Sequence, residues 1–154
     1  KWHFGYKAHV GADQDSGLVH TLKVTAANVH DVSVTSKLLT GQEETVYGDS
    51  GYLGAEKRGD AVLRNDQDRK IKYRINRRTS QLRKLSSGGQ YAARKAEHKK
   101  SSVRAKVEHV FGVVKGLLRY RKTRYRGLLK QTAKLNIMFA LANLILADRP
   151  CLSA

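Results

Sequence analysis

The stretch Ser102-Val103-Arg104-Ala105-Lys106-Val107-Glu108-His109-Val110-Phe111-Gly112-Val113-Val114-Lys115-Gly116-Leu117-Leu118 reads as one helix with two faces. At about 100° per residue, Val103, Val107, Val110, Val114, Leu117 and Leu118 gather on an arc of roughly 100°, which is the expected core face. Arg104, Glu108 and Lys115 fall within about 40° of one another on a strip beside that arc. A carboxylate between two cations at the edge of a core has two readings. It is an ordinary i,i+4 ion pair on a solvated face, or it is one part of a site completed from elsewhere in the chain.

A second stretch, Thr45-Val46-Tyr47-Gly48-Asp49-Ser50-Gly51-Tyr52-Leu53-Gly54, bears on the choice. A short β-prone run delivers Asp49 at its carboxyl end and a glycine-containing turn follows at once, the place where open α/β sheets put their chemistry. An Asp at a strand end and a Glu on a helix supply oxygen ligands suited to hard cations such as magnesium or manganese. Ser50 lacks the Gly-x-Ser-x-Gly elbow of hydrolases, so serine chemistry is not suggested. His109 adjoins Glu108, but neighbours on a helix point about 100° apart, which argues against a shared role.

The 154 residues can bury a real core, and a single domain over residues 1–154 is the expectation. The chain carries 30 Lys and Arg against 13 Asp and Glu, a net +17. Residues 57–134 hold 25 basic and 5 acidic residues, a net +20, whereas the first 56 hold 4 and 7, a net −3. Such segregation calls for a polyanion, nucleic acid first; a solubilising surface would mix both signs. The single cysteine, Cys151, allows no disulfide framework and reads as a bystander in a reducing compartment. The longest apolar run, residues 135–147, is broken by Asn136 and Asn143 and falls short of the roughly 20 residues of a membrane span. The chain opens on Lys1 directly in a strand-like pattern, with no signal peptide, and reads as a fragment of a longer protein.

In order along the chain, residues 2–10 and 18–25 predict a β-hairpin, with Asp13 and Asp15 as turn formers. Asn28 or Asp31 predicts the cap of a helix reaching Leu39, with Val32, Leu38 and Leu39 facing a sheet. Residues 55–64 predict another helix, weakened by Gly59. Ile71, Tyr73 and Ile75 alternate with Lys72 and Arg74, predicting a last strand with one basic face. Residues 76–90 lack apolar periodicity and predict a mobile basic linker. The long helix is expected from about residue 91 to about residue 118. In the following Arg119-Tyr120-Arg121-Lys122-Thr123-Arg124-Tyr125-Arg126-Gly127, an edge strand or arm, Arg119, Arg121, Arg124 and Arg126 are candidate DNA-phosphate contacts. Its tyrosine rings stack on bases or cover the core. Residues 132–147 predict a helix buried on nearly all sides or in a subunit contact.

The chain resembles the DDE transposases of bacterial insertion sequences. The likeness is carried by Gly5-Tyr6-Lys7-Ala8-His9-Val10-Gly11, by Leu18-Val19-His20 through Thr25-Ala26-Ala27-Asn28-Val29-His30-Asp31, by Tyr47-Gly48-Asp49-Ser50-Gly51-Tyr52, by Arg104, Glu108 and Lys115, and by Arg124-Tyr125-Arg126-Gly127-Leu128. The resemblance implies an α/β, ribonuclease H-like mixed sheet flanked by helices, lacking its first strand here. It implies Asp49 and Glu108 as second and third catalytic, metal-ligating acids, with Arg104 and Lys115 flanking the Glu and the Lys meeting DNA near the cleaved end. The tyrosine that often stands three residues before the Arg is Ser101 here.

The first Asp of the triad is expected upstream of Lys1, so the chain as it stands is expected to be inactive. Phosphodiester transfer calls for two magnesium or manganese ions roughly 3.5–4 Å apart, which would bring Asp49 and Glu108 within about 8 Å of each other. The implied protein nicks DNA at element ends and joins the freed 3′ hydroxyl to a target, in the bacterial cytosol and nucleoid, with no membrane partner and with a homo-oligomer as an option in the DNA complex. The rivals are a non-catalytic basic DNA- or RNA-binding protein, an inactive transposase remnant, and a ribonuclease H-like nuclease that cleaves without joining.

Overall fold

The computed structural model describes residues 5–148. Along the chain lie strands β1 (Tyr6–Ala12), β2 (Val19–Ala26), β3 (Thr45–Gly48) and β4 (Lys72–Ile75), and helices α1 (Thr79–Leu82), α2 (Ser87–Gly112) and α3 (Leu128–Asp148). The opening of the expected hairpin at Trp2 and the lone Cys151 fall outside the described residues. Two compact units emerge, one from residues up to Val29 together with those from Lys106 onward, the other from His30–Ala105.

In the first unit β1 and β2 pair antiparallel from Tyr6↔Ala26 to Gly11↔Thr21, with the register slipping between Gly11 and Ala12. The hairpin turn is held by Asp13, whose Oδ1 accepts from the backbone N–H of Ser16 at 2.7 Å and of Asp15 at 3.1 Å. Those bonds, the Ser16 amide first, hold the Asp13 carboxyl below its ordinary value. Gly17 closes the turn at φ 73°, a backbone state that favours glycine. Ala8, Val10, Val19, Leu22 and Val24 of the hairpin pack on a core of Val110, Val113, Val114, Leu135, Phe139 and Ala142. Phe111 and Phe139 meet edge to face, with centroids 5.4 Å apart. Asn143 fastens α3 to β2: its Oδ1 accepts from Val19 N at 2.9 Å and its Nδ2 donates to Val19 O at 2.7 Å.

Two expectations for this unit need correction. α3 buries Gln131, Leu135, Phe139 and Ala142, a single stripe at helical spacing. Its opposite side leaves Ile137 64% and Leu144 68% exposed, because a two-stranded hairpin and one helix end cover only one face. The apolar arc read from residues 102–118 also breaks. Val113–Leu117 forms a π turn, closed by Leu118 N donating to Val113 O at 2.9 Å. An i→i+5 turn advances each residue by less than an α-helix does, so Leu117 swings out to 64% exposure while Val113 joins the core. The segment between this turn and α3 contains no strand, which leaves the arm and not the edge strand.

In the second unit β3 and β4 pair in parallel, from Thr45↔Lys72 to Gly48↔Ile75. Parallel strands need a crossover, supplied by residues 49–71 with 3-10 turns at Ser50–Tyr52 and Ala55–Lys57. The helix expected over residues 55–64 is only that second turn. Arg58 is already extended, and Asn65 Oδ1 accepts from Gln67 N at 3.1 Å and Arg69 N at 2.9 Å, an Asx-type turn that competes with helix. The helix expected to reach Leu39 is a 3-10 turn, Asp31–Lys37, with His30 at its N-cap. Neither Asn28 nor Asp31 caps it, and Ser33 Oγ and Thr35 Oγ1 bond the His30 and Val32 carbonyls. Val34, Thr35 and Leu38 are buried there.

Residues 76–90 hold α1 and the first residues of α2, and the two residues that open the segment are fastened. Asn76 Nδ2 donates to Ser101 Oγ at 3.0 Å, and Arg77 N donates to Glu97 Oε2 at 3.0 Å. Glu97, buried on α2, also receives Lys100 Nζ at 2.8 Å, and Lys100 reaches the Ile75 carbonyl at 3.0 Å. The fold is therefore mixed α/β, and among the described residues it carries two two-stranded sheets, one antiparallel and one parallel. No helix among the described residues is long and apolar enough to cross a membrane.

Candidate active site and nucleic-acid interface

Asp49 stands where β3 ends. Gly48 is paired with Ile75, and a Cβ on Gly48 would lie 2.8 Å from Ile75 Cδ1, so glycine lets the parallel neighbour close over the strand end. Asp49 caps the 3-10 turn Ser50–Tyr52, its Oδ1 accepting from Gly51 N at 2.8 Å. The carboxylate is exposed and its orientation is set by the backbone. Asp31 arrives beside it: a Cβ on Gly51 would lie 3.0 Å from both Asp31 Oδ2 and Asp49 Oδ1. Burial first, then the nearby Asp31 and Asp49 charges, pushes the Tyr52 phenol up to about 12, so it stays protonated.

Asp31 and Asp49 are hard oxygen donors of the kind that suits a magnesium- or manganese-sized cation. Among the described residues no three His, Cys, Asp or Glu side chains gather as a ready ligand set. Two carboxylates thus fit the chemistry of such an ion and need further donors to hold it.

Glu108 lies exposed on α2, with Arg104 one turn earlier and half-buried. Lys115 belongs to the π turn, not to the α-helical strip predicted for it, and its Nζ lies 5.6 Å from the centroid of the Phe111 ring. Asp49 and Arg104 belong to the unit His30–Ala105, Glu108 and Lys115 to the other.

The arm that carries Arg119, Arg121, Arg124 and Arg126 is exposed at all four. Arg119 takes a left-handed backbone at φ 52° and Gly127 ends the arm at φ 94°. Tyr120 packs against the core and its hydroxyl accepts from Gln131 Nε2, so this ring covers the interior as one reading proposed. Tyr125 is 50% exposed. Lys134 Nζ lies 5.4 Å from the Tyr120 centroid and 5.2 Å from the Tyr125 centroid, a cation shared by two rings. Together the arm and α3 border an open groove of about 980 Å³.

Sequence reasoning missed Asp31, Tyr52 and Lys134. Asp31 and Tyr52 sat inside the stretches that carried the family resemblance but were given no part in the site. Lys134 could have been found from its place among the basic residues of α3. No solved structure matches the chain. The family model of the transposase DDE domain matches residues 1–144, which span the Asp49 turn, Glu108, the arm and most of α3. The chain belongs to the transposase DDE-domain family, whose general business is transposition-related cleavage and transfer of DNA.

Proposed function

We propose that this chain is the catalytic domain of an insertion-sequence transposase, working in the bacterial cytosol and nucleoid on a ribonuclease H-like arrangement. It nicks DNA at the element's ends and joins the freed 3′ hydroxyl to a target. Asp49 and Glu108 serve as carboxylate ligands for magnesium or manganese. The observation that carries this reading is Asp49 itself: an exposed carboxylate fixed by Gly51 N at the end of a parallel strand, inside a chain matched by the transposase DDE family over residues 1–144.

When bound, divalent ions activate the attacking oxygen and stabilise the leaving one. The chain's own residues do the rest. The Gly51 N–H holds one Asp49 oxygen and leaves the other to act as a donor. Arg104 and Lys115 hold the DNA backbone near the cleaved bond, and Arg119, Arg121, Arg124 and Arg126 take phosphates further along. Phosphate contacts of this kind position the substrate without reading its sequence.

The test is strand cutting by a transposase that carries this domain, with magnesium or manganese present. Glu108→Gln and Asp49→Asn keep shape and lose charge, so both should abolish cutting and leave DNA binding within about twofold. Lys115→Ala should weaken DNA engagement and leave metal binding unchanged. Cutting at the normal rate by Glu108→Gln would remove the ligand assignment. A second reading, a basic DNA-binding protein without catalysis, is supported by the net +20 over residues 57–134, which suits a polyanion without any chemistry. It predicts that both carboxylate variants behave as the parent in every assay.

A further inference from the structure

We propose that the groove between the arm and α3 receives an unpaired DNA strand, an inference that rests on the transposase reading above. The groove has two kinds of lining. Leu118, Ile137 and Met138 make an apolar floor, and Arg121, Arg124 and Lys130 stand along it as cations. Tyr125, half exposed, forms one wall and is steadied by Lys134 against its ring at 5.2 Å.

Cations alone would suit any DNA backbone. The floor distinguishes the occupant, since a duplex keeps its base faces stacked inside itself and offers an apolar surface only groove-edge groups such as thymine methyls. An unpaired strand has both parts, phosphates for the arginines and free π-faces for Tyr125 and the floor, which is the pattern of single-strand sites generally. A groove of about 980 Å³ lies in the size range of sites that enclose a small ligand, which is room for roughly one or two nucleotides and not for a double helix. Ile137 at 64% exposure then has a function in the position where α3 lacks a partner within its own unit.

The experiment measures fluorescence anisotropy of a labelled oligothymidylate and of a duplex of equal length, bound to this chain at matched salt. Tyr125→Ala and Ile137→Ser leave the charge unchanged. Tyr125→Ala should weaken single-strand binding about tenfold, the size of a lost base-stacking contact, and Ile137→Ser about fivefold through lost apolar contact, while duplex binding stays within about twofold for both. Tyr125→Phe keeps the ring and should bind as the parent does. Arg121→Ala should weaken both forms. Two sites on different elements guard against a variant that merely misfolds, since misfolding would lower duplex binding too. If the neutral variants leave the single strand unaffected, or lower both forms alike while keeping the parent's melting temperature, the groove is not a base-binding site although the transposase reading stands. If the parent chain binds neither form, the transposase reading itself fails.

Discussion

Gly51 leaves little room beside the carboxylates of Asp31 and Asp49. A methyl there would stand 3.0 Å from an oxygen of Asp31 and an oxygen of Asp49, closer than ordinary contact, and one of those oxygens must move. Gly51 is exposed and is not among the glycines with positive φ, so Gly51→Ala should leave the melting temperature within a few degrees. The oxygen that gives moves by only a few tenths of an ångström, less than the roughly 1 Å that costs on the order of 100-fold in rate, so cutting by a transposase carrying the change should fall by a few-fold; an unchanged rate would mean that Asp49 tolerates movement and does not hold a reacting centre. Glu43 offers a different residue-scale test. Burial raises its carboxyl, but the Thr40 and Gly41 N–H groups and the Thr40 hydroxyl, at 2.7, 3.0 and 2.8 Å, outweigh it and hold the group below its ordinary value. A lowered folded-state value means stability that is present above the usual carboxylate range and is lost as pH falls through and below that range. Glu43→Gln should cost about 1 kcal/mol at neutral pH after allowance for solvent screening, and should flatten the acid limb of a denaturant-unfolding pH profile. A parallel limb in the variant would assign the acid sensitivity elsewhere.

At the scale of elements, Asn143 is the side chain that registers α3 on β2. Both of its amide atoms are used on the backbone of Val19, so Asn143→Leu leaves a donor and an acceptor without that partner. A loss of about 1–3 kcal/mol in unfolding free energy is expected, and no loss would show that water replaces the amide freely. This pair also marks the limit of what sequence could tell. The hairpin, β3 ending at Asp49, β4 and the long helices were legible because their periodicity is local. Asn143 was visible only as an interruption in an apolar run, since its partner lies 124 residues away. The π turn was hidden because Val114 and Leu117 both fit an α-helical arc, and Val113, which lies off that arc yet is buried, gives no signal in residue type. The 3-10 turns replaced predicted helices where Ser33, Thr35 and Asn65 side chains bond nearby backbone, a competition that residue propensity alone does not decide. Asp49 was legible as a candidate from strand-end chemistry, and the structure places it at the end of β3, whereas Asp31 and Tyr52 became part of its surroundings only through the fold.

For the molecule as a whole, charge sets the first-order behaviour. A net +17, concentrated as +20 over residues 57–134, predicts DNA binding dominated by counterion release, and about six phosphate contacts would give a slope near −5 in log affinity against log salt. A slope near zero on duplex DNA would remove nucleic acid as the partner. The apolar side of α3, with Leu129, Ile137 and Leu144 turned outward, gives the same titration an opposite second arm. Like-charged molecules repel one another in dilute buffer, and that repulsion opposes contact between these oily flanks. Once the Debye length shrinks to about 3 Å near 1 M salt, repulsion fades while water still drives the flanks together. The colloid should then reverse sign: a positive second virial coefficient by static light scattering at low ionic strength, turning negative as salt is added, so that the buffer that best releases DNA is also the one in which the free chain self-associates.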